Sequence, residues 1–264
     1  MKLLFVGAGK MATAIAGGLV QRQVLPAADL LAADVSPAAR QAFTAATGVP
    51  CAAEAAPLAA GADAILLAVK PQVAAAAVEA LAPAVRGRLV ISICAGLGLA
   101  KLAGWFGHDR IVRVMPNTPL LVGLGASVFC CGAGVTAADR ELVGRIFGTL
   151  GLVREQPEAK MDAVTALSGS GPAYVFEMVQ GLVDAAVAAG LPAELALELT
   201  VQTVAGAAEM LRRRLGAPDE LRNAVTSPGG TTAAGLAVFA QAGFRGLLKD
   251  VVAAAAARSA ELGR

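Results

Sequence analysis

Short apolar runs alternate with segments of helical length over the first half of the chain. In the helical segments apolar residues recur every three or four positions, as at Met11, Ile15 and Leu19. The apolar runs have the pattern of buried strands, and we predict strands at residues 3–6, 30–33, 64–69, 89–93, 111–114 and 126–129. Continuous apolar strands that alternate with helices are typical of a parallel sheet covered on both faces. The first half is therefore predicted to be an α/β domain.

The pattern changes in the second half, where no run from Met161 onward resembles a strand. Groups that contain glycine and proline separate its segments, at residues 168–172, 190–192, 216–218 and 227–230. We predict helices at 174–189 and 193–215, and another that begins near Ala233. The 193–215 helix is apolar on nearly all sides, and such a helix must be buried. A second copy of the chain is a natural cover, so this half is predicted to be all-helical and to dimerise.

Composition excludes several classes of protein. Of the 264 residues, 56% are hydrophobic and only 16% are charged, which excludes a disordered chain. The mean hydropathy of +0.65 owes much to alanine. The longest uncharged runs contain prolines and glycines, so we expect no association with a membrane. The apolar run at the N-terminus is too short for a signal peptide, and we expect a cytoplasmic protein.

Charge and reactive side chains narrow the chemistry further. The net charge is +2, and with one Trp and one Tyr no aromatic residues interleave with basic ones, so no nucleic-acid partner is expected. His108 is the single histidine, which excludes a multi-histidine site, and we predict no metal. The four cysteines form no C-x-x-C pair and are interpreted as buried free thiols. Because few groups can serve acid–base catalysis, the sequence favours a bound cofactor.

A glycine-rich turn directly follows the first predicted strand and precedes a helix. It has the G-x-G-x-x-A form, in which the first glycine makes a tight turn and the second lets a pyrophosphate approach the backbone. The helix N-terminus then offers unpaired N–H groups to phosphate. We predict a dinucleotide site formed by Gly7, Ala8, Gly9, Lys10, Met11 and Ala12. Residues 1–155 are accordingly predicted to be a Rossmann-like domain, and residues 156–264 the helical dimerisation and substrate domain.

Asp34 closes the second predicted strand, near the expected position of the coenzyme ribose. A carboxylate there can accept from the hydroxyls of NAD and repel the 2′-phosphate of NADP. The other interpretation of Asp34 is a helix cap before Ser36. Ser36 and Arg40 follow closely and can hold a phosphate. The cofactor is therefore predicted to be NADP or NAD, with the choice open.

Three further loops are expected at the carboxyl ends of the strands, where this fold binds ligands. They contribute Ala68, Val69, Lys70 and Pro71, then Ala95, and then Asn117 as predicted cofactor-binding residues. Lys70 can contact cofactor or substrate, or else bond a loop carbonyl. Asn117 can hold a carboxamide or orient its own loop.

A second glycine-containing motif leads into the helix predicted near Ala233. Two glycines bare the backbone, and two threonines can cap the helix, which makes a neutral anion site suited to a small carboxylate. The alternative is a simple interhelical turn. We predict substrate binding by Ser227, Gly229, Gly230, Thr231 and Thr232.

The motifs together resemble those of the pyrroline-5-carboxylate reductase family. The resemblance extends from Lys2 to about Leu262. It rests on the segments 7–12, 68–72, 113–119, 167–174 and 227–232, of which the last two are the most specific. It implies reduction of a cyclic imine to L-proline by NADPH or NADH, the last step of proline biosynthesis. It also implies a dimer with the active site at its interface, and assembly of dimers into larger rings.

The resemblance implies roles for the 227–232 loop. Its backbone amides and hydroxyls would hold the substrate carboxylate, and the Thr232 hydroxyl would lie beside the ring nitrogen. We hypothesise that Thr232 hydrogen-bonds the imine nitrogen and guides its protonation, and we assign it as the catalytic residue. The chain departs from several NADP-using relatives, which carry Asn-Arg or Ser-rich sequence after the second strand, because it has Asp34 and Val35 there.

Two other functions compete with this one. β-Hydroxy-acid dehydrogenases share the domain order but place asparagine within a turn of a lysine on the interdomain helix, and residues 161–164 after Lys160 contain none. A non-catalytic nicotinamide sensor would keep the glycine turn but would not need the 227–232 loop.

Overall fold

The computed structural model describes residues 1–263 and contains eight strands and twelve α-helices. The strands are β1 (Leu3–Val6), β2 (Leu30–Ala33), β3 (Cys51–Ala52), β4 (Ala64–Leu67), β5 (Leu89–Ser92), β6 (Ile111–Met115), β7 (Gly125–Cys131) and β8 (Gly151–Glu155). The helices of the first part are α1 (Lys10–Gln21), α2 (Pro37–Thr47), α3 (Ala56–Ala59), α4 (Pro71–Leu81), α5 (Leu99–Phe106), α6 (Ala137–Gly148) and α7 (Met161–Val164). The remaining helices are α8 (Gly171–Ala188), α9 (Ala193–Arg212), α10 (Pro218–Ala224), α11 (Thr231–Gln241) and α12 (Phe244–Leu262).

All eight strands form one sheet in the order β3-β2-β1-β4-β5-β6-β7-β8. The strands from β3 to β6 are parallel, and their order matches the doubly wound dinucleotide-binding fold. Apolar side chains cover both faces: one core is built around Phe5, Phe43 and Phe147, and the other around Ile65, Leu81 and Phe106. The predicted Rossmann-like α/β fold is confirmed.

The sheet is parallel, as predicted, except at β7, which runs antiparallel to β6. The two strands are joined by residues 116–124, which contain one short 3₁₀ helix at Thr118–Val122. This connection is too short for the helical crossover that parallel neighbours need. β8 then pairs parallel to β7 after the α6 crossover.

Two strands were missed by the sequence pattern, and both lie at the sheet edges. β3 has only two residues, and β8 is partly exposed along its whole length, with charged Arg154 and Glu155 at its end. An edge strand lacks cover on one side, so it does not require the continuous apolar run by which the central strands were found.

The described residues pack as two compact units, of residues 1–170 with 255–263 and of residues 171–254. This packing boundary lies beyond the predicted change of domain at residue 156. Met161 and Ala166 are buried, and Ser259 near the end of α12 donates a hydrogen bond of 2.7 Å to Asp162. The residues around α7 and the end of α12 therefore pack within the first unit.

The second unit is entirely helical, as predicted, and has almost no core of its own. Within residues 171–254, all of which the structure describes, Ala196 is the only buried residue. Large apolar side chains are exposed along its helices, including Phe176, Leu199 and Val238 at 67%, 50% and 62%. Burial of such surface supplies most of the stability of folded proteins, so this unit needs an apolar cover.

Candidate active site

The strand order reverses between β1 and β4, because β2 lies on one side of β1 and β4 on the other. In open α/β sheets ligands bind at the carboxyl ends of the strands at such a switch point. The glycine turn follows β1, Asp34 follows β2, Ala68 to Lys70 follow β4, and Ala95 lies beyond the end of β5. The structure thus brings most of the predicted cofactor residues to one edge of the sheet.

Gly7 occupies a position that only glycine fits. Its φ is +101°, and a Cβ there would lie 2.7 Å from the carbonyl oxygen of Ala68. The Gly7 N–H donates to the Ala33 carbonyl, and the Ala68 N–H donates to the Val6 carbonyl, both at 2.8 Å. The first glycine therefore lets β1, β2 and β4 close around the start of the turn.

Gly9 is different, because the space beside it is open. It precedes α1 in extended backbone, with φ −73° and ψ 178°, and a Cβ there would meet no atom within 4 Å. No side chain caps α1, whereas Ala12 is fully buried beneath its first turn. Uncapped N–H groups beside an open glycine fit a dinucleotide pyrophosphate, which carries negative charge and needs close approach to the backbone.

Asp34 contacts the glycine turn. Its Oδ2 accepts from the Ala8 N–H and its Oδ1 from the Ser36 N–H, both at 2.8 Å. The alternative of Asp34 as the helix cap is wrong, because Ser36 caps α2 and accepts from the Ala39 N–H at 3.3 Å.

The loops after β4 and β5 complete the edge. Lys70 precedes α4, its side chain is exposed, and its ammonium has no hydrogen-bond partner among residues 1–263. Lys70 therefore does not bond a loop carbonyl among these residues, as the alternative interpretation expected. Ala95 is exposed, and Gly96 beside it has a φ of +76°.

Asn117 has both ends of its side-chain amide occupied. Its Oδ1 accepts from the Ala126 N–H at 2.8 Å, and its Nδ2 donates to the Ser168 carbonyl at 3.0 Å. Asn117 is 8% exposed, so these bonds lie out of water. The structure therefore gives Asn117 the second of its predicted roles, that of orienting its loop.

The second predicted site forms a tight turn at the start of α11. The Gly230 N–H donates to the Ser227 carbonyl at 3.1 Å, and Gly229 has a φ of +69°. This is the geometry of a type II turn, in which Pro228 and Gly229 hold the central positions. α11 begins at Thr231, two residues before the predicted start.

The predicted capping of α11 by threonine is wrong. Gly230 is the residue before the helix, and no side chain caps it. Thr231 and Thr232 lie in the first helical turn, exposed and half-buried respectively. The turn therefore presents uncapped N–H groups next to hydroxyls, which suits a small carboxylate.

Comparison with known proteins decides the family. Residues 158–262 match the family model described as pyrroline-5-carboxylate reductase dimerisation. Residues 2–96 match the model described as NADP oxidoreductase, coenzyme F420-dependent. The pyrroline-5-carboxylate reductase of Arabidopsis thaliana is 44% identical over 99% of this chain and 95% of its own length. The chain belongs to the pyrroline-5-carboxylate reductase family.

Other members agree over the full length. The Pseudomonas aeruginosa pyrroline-5-carboxylate reductase is 42% identical, over 99% of this chain and 96% of its own. The crystal structure of the Plasmodium falciparum pyrroline carboxylate reductase with NADP bound superposes with a TM-score of 0.91 at 34% identity, covering 100% of this chain and 98% of that one. Like the rest of the pyrroline-5-carboxylate reductase family, the chain is an NAD(P)H-dependent oxidoreductase of proline biosynthesis that self-associates.

One local feature of the chain is not predicted by the sequence pattern. Residues 165–169, which overlap the first three residues of the motif 167–174, form a π-helical turn, a rare geometry that is frequent at functional sites. The Asn117 amide holds it through the Ser168 carbonyl. Glu158 is a second unforeseen contact, since its Oε1 accepts from the Leu99 N–H at the start of α5 at 2.7 Å. Neither contact has a local signal, because the partners lie 51 and 59 residues apart in sequence.

The four cysteines are all free thiols, as predicted. Cys94 and Cys130 are buried, whereas Cys51 and Cys131 are only partly so. Burial raises the pKa of Cys130 to about 11 and that of Cys131 to about 12. Both thiols are therefore protonated and poorly nucleophilic at neutral pH.

Among residues 1–263, no helix combines the length and apolarity needed to cross a bilayer.

Proposed function

We propose that the chain reduces 1-pyrroline-5-carboxylate to L-proline, with the coenzyme held at the glycine turn and the substrate at the 227–232 turn. The observation that carries this is the uncapped start of α11. No side chain accepts from the N–H groups of its first turn, so a small carboxylate could accept from them beside the two threonine hydroxyls. NADPH or NADH supplies the hydride when bound.

The first unit would hold the coenzyme. Its pyrophosphate would bind at Gly9 and the uncapped first turn of α1. Lys70 and Ala95 lie in the exposed loops after β4 and β5, where they would border the nicotinamide half. Gly7 and Ala12 act indirectly, by allowing the turn and its helix to pack closely.

The second unit would hold the substrate. The N–H groups of the first turn of α11, with the hydroxyls of Ser227 and Thr231, would bind its carboxylate. Thr232 would donate to or accept from the ring nitrogen and hold the proton there. A protonated cyclic imine already has an electrophilic carbon, so the protein mainly needs to align the two reactants. This explains why a chain with one histidine suffices.

The assembly forms part of the proposal. We propose a cytoplasmic homodimer, or a ring of dimers, with its active sites at the dimer interface and with residues 156–264 as the dimerisation and substrate domain. The exposed apolar side chains of α8, α9 and α11 support this arrangement, because a second copy would cover them.

The first test is oxidation of NADPH and of NADH, measured separately, with 1-pyrroline-5-carboxylate and with proline identified as product. Thr232→Ala is expected to lower kcat/KM by about tenfold or more, because it loses one hydrogen bond to a charged group. Thr232→Ser should restore most of the rate. Thr149→Ala removes a similar hydroxyl at the end of α6 and should change nothing. Coenzyme binding without turnover would contradict the proposal and favour a sensor.

A further inference from the structure

The loop that follows β5, residues 94–98, is here called the β5 loop. Its Cys94 thiol donates to the Val69 carbonyl at 3.2 Å, which joins it to the loop after β4. Ala95 is exposed, whereas Gly96 and Leu97 behind it are buried. The β5 loop therefore presents Ala95 outward at the carboxyl edge of the sheet and packs its next two residues against the protein.

The last turn of α12 covers the β5 loop at Gly96. A Cβ on Gly96 would lie 3.1 Å from the carbonyl oxygen of Leu262, and a Cβ on Gly263 would lie 3.2 Å from the carbonyl oxygen of Gly96. Gly96 also has a φ of +76°, a conformation that favours glycine. Backbone packs directly against backbone here, so a displacement of the end of α12 would remove the support behind the β5 loop.

A single side-chain hydrogen bond fixes this end of α12. Ser259, which is 6% exposed, donates to the Asp162 Oδ1 at 2.7 Å, although the two residues are 97 positions apart in sequence. A bond between a buried hydroxyl and a carboxylate is among the stronger hydrogen bonds of a protein. Its loss should shift the end of α12 away from its packed position by about ten- to a hundredfold.

The segment that holds α12 also supports the far end of the β5 loop. Glu158 lies in the same segment as Asp162, and its Oε1 accepts from the Leu99 N–H at 2.7 Å. Leu99 begins α5, and Gly98 before it supplies no side-chain cap. Residues 158–162 therefore bond both the start of α5 and the end of α12, and the β5 loop is held between these two contacts.

We propose that Ser259 and Asp162 are positioning residues for hydride transfer, because they hold the last turn of α12 against the β5 loop and so fix the place of the nicotinamide ring. This inference rests on the coenzyme role proposed for Ala95. A loop that is held for only part of the time aligns the ring for that fraction of the time, so affinity and rate both fall. The adenosine half would bind at the glycine turn and should not depend on this hydrogen bond.

Binding of the whole coenzyme and of its adenosine half separates positioning from general stability. We would measure, by calorimetry, the Kd of whichever coenzyme binds more tightly and that of its fragment without nicotinamide, which is 2′-phospho-ADP-ribose for NADPH and ADP-ribose for NADH. Ser259→Ala is expected to raise the coenzyme Kd by about threefold or more and to lower kcat/KM by about tenfold. The fragment Kd should stay within about twofold. An equal rise for coenzyme and fragment, or none for either, would overturn the proposal.

Variants of the partner residue test whether the hydrogen bond itself is responsible. Asp162→Ala should reproduce the losses of Ser259→Ala, whereas Asp162→Asn keeps an acceptor oxygen and should retain most of the activity. Arg258→Gln is the matched control, because it removes an exposed ion pair with Glu261 from the same turn of α12, and it should change nothing. The double variant Ser259→Ala, Asp162→Ala should lose no more than either single one. Additive losses would mean that the two side chains act separately and would contradict the proposal.

The unsubstituted protein provides a test that no folding defect can affect. Because coupling is reciprocal, the coenzyme should slow hydrogen exchange of the backbone amides at residues 259–263, and the fragment without nicotinamide should not. Equal protection by both, or none by the coenzyme, would overturn the role of α12. Failure of the proposed function looks different, since the unsubstituted protein would then bind neither NADPH nor NADH.

Discussion

At the scale of single residues, Gly7 and Gly9 belong to one turn but are required for different physical reasons. Gly7 has a backbone conformation and a neighbouring carbonyl that exclude any side chain. Gly9 has ordinary extended backbone and an open side, so its lack of a side chain benefits only a ligand. The sequence motif predicts a glycine at both positions. Only the structure shows that Gly7 is needed for the fold and Gly9 for access of a ligand to the backbone.

Substitution by alanine should separate the two roles. Gly7→Ala is expected to lower the free energy of unfolding by about 1–3 kcal/mol or more, because of its positive φ and the clash with Ala68. Gly9→Ala should leave the melting temperature nearly unchanged and raise the coenzyme Kd by about tenfold or more, since its methyl group occupies the space of the pyrophosphate. Thermal denaturation and fluorescence titration measure these effects. A destabilised Gly9→Ala protein with normal binding would contradict this division.

Asp139 makes the clearest electrostatic contribution to the stability of the first unit. It is 4% exposed, accepts two hydrogen bonds from Arg110 at 2.9 and 2.8 Å, and closes the capping box of α6 with Thr136. Hydrogen bonding to Arg110 lowers the pKa of Asp139 from 3.8 to about 2. Its contribution to stability is therefore complete above about pH 5 and is lost as the pH falls through about 2.

Asp139→Asn should remove this pH dependence. At a fixed protein concentration, the advantage of the unsubstituted protein should amount to about 2 kcal/mol at neutral pH and shrink between pH 5 and 2. Urea unfolding at several pH values measures it. Glu155→Gln breaks an exposed pair with Arg140 and should show almost no such difference. An advantage that is constant with pH would mean that packing, not charge, accounts for the effect.

At the scale of elements, the pairing of β7 with β8 depends on two glycines that face each other. Gly151 has a φ of +142° and pairs with Gly125, whose backbone atoms would lie within 3 Å of a Cβ on Gly151. The central strands follow from their apolar runs, so the sequence predicts β1, β2 and β4 to β6 closely. The pairing of β8 depends on this glycine contact, and the reversal at β7 depends on the length of the loop before it. The pattern of hydrophobic residues contains neither kind of information.

Gly151→Ala should therefore destabilise the first unit strongly. We expect a loss of about 2 kcal/mol or more, from positive φ and from backbone overlap across the strand pair. Gly144→Ala is the matched control, because Gly144 lies inside α6 with no atom near its Cβ position. That change should stabilise by about 0.5–1 kcal/mol. Urea unfolding compares them, and similar effects of the two variants would contradict the role of the glycine contact.

At the scale of the whole molecule, the two units differ in how they are stabilised. The first has two apolar cores, whereas the second exposes most of its large apolar side chains. The periodicity of 193–215 predicted this need for a partner, because the segment has no polar face. The turn at residues 227–230 before a helix was also predictable, but the capping of that helix was not, since either glycine or threonine can precede a helix.

Stability should accordingly depend on self-association. Val201→Glu, on α9, is expected to shift the protein toward monomers and to make its melting temperature fall on dilution, because a charge replaces apolar surface that a second copy would cover. Val73→Glu is the matched control, since Val201 and Val73 are 51% and 53% exposed on helices of different units. Analytical ultracentrifugation measures the mass of each. Equal masses for both variants would place the interface elsewhere.

The final helix has a consequence for how the two units can be separated. α12 runs without a break from residue 244 to residue 262, and its last residues pack with the first unit. In topology the second unit is an insertion into the first, because the residues before it and after it in sequence both belong to the first unit. A single proteolytic cut at either crossing would leave the fragments associated through the packing of residues 255–263 on the first unit. A chain shortened at residue 170 would lack that packing, which includes the contacts of Ser259 with Asp162 and of Leu262 with Gly96. Isolation of the first unit with all of its packing therefore requires that residues 171–254 be removed and that residue 170 be linked directly to residue 255.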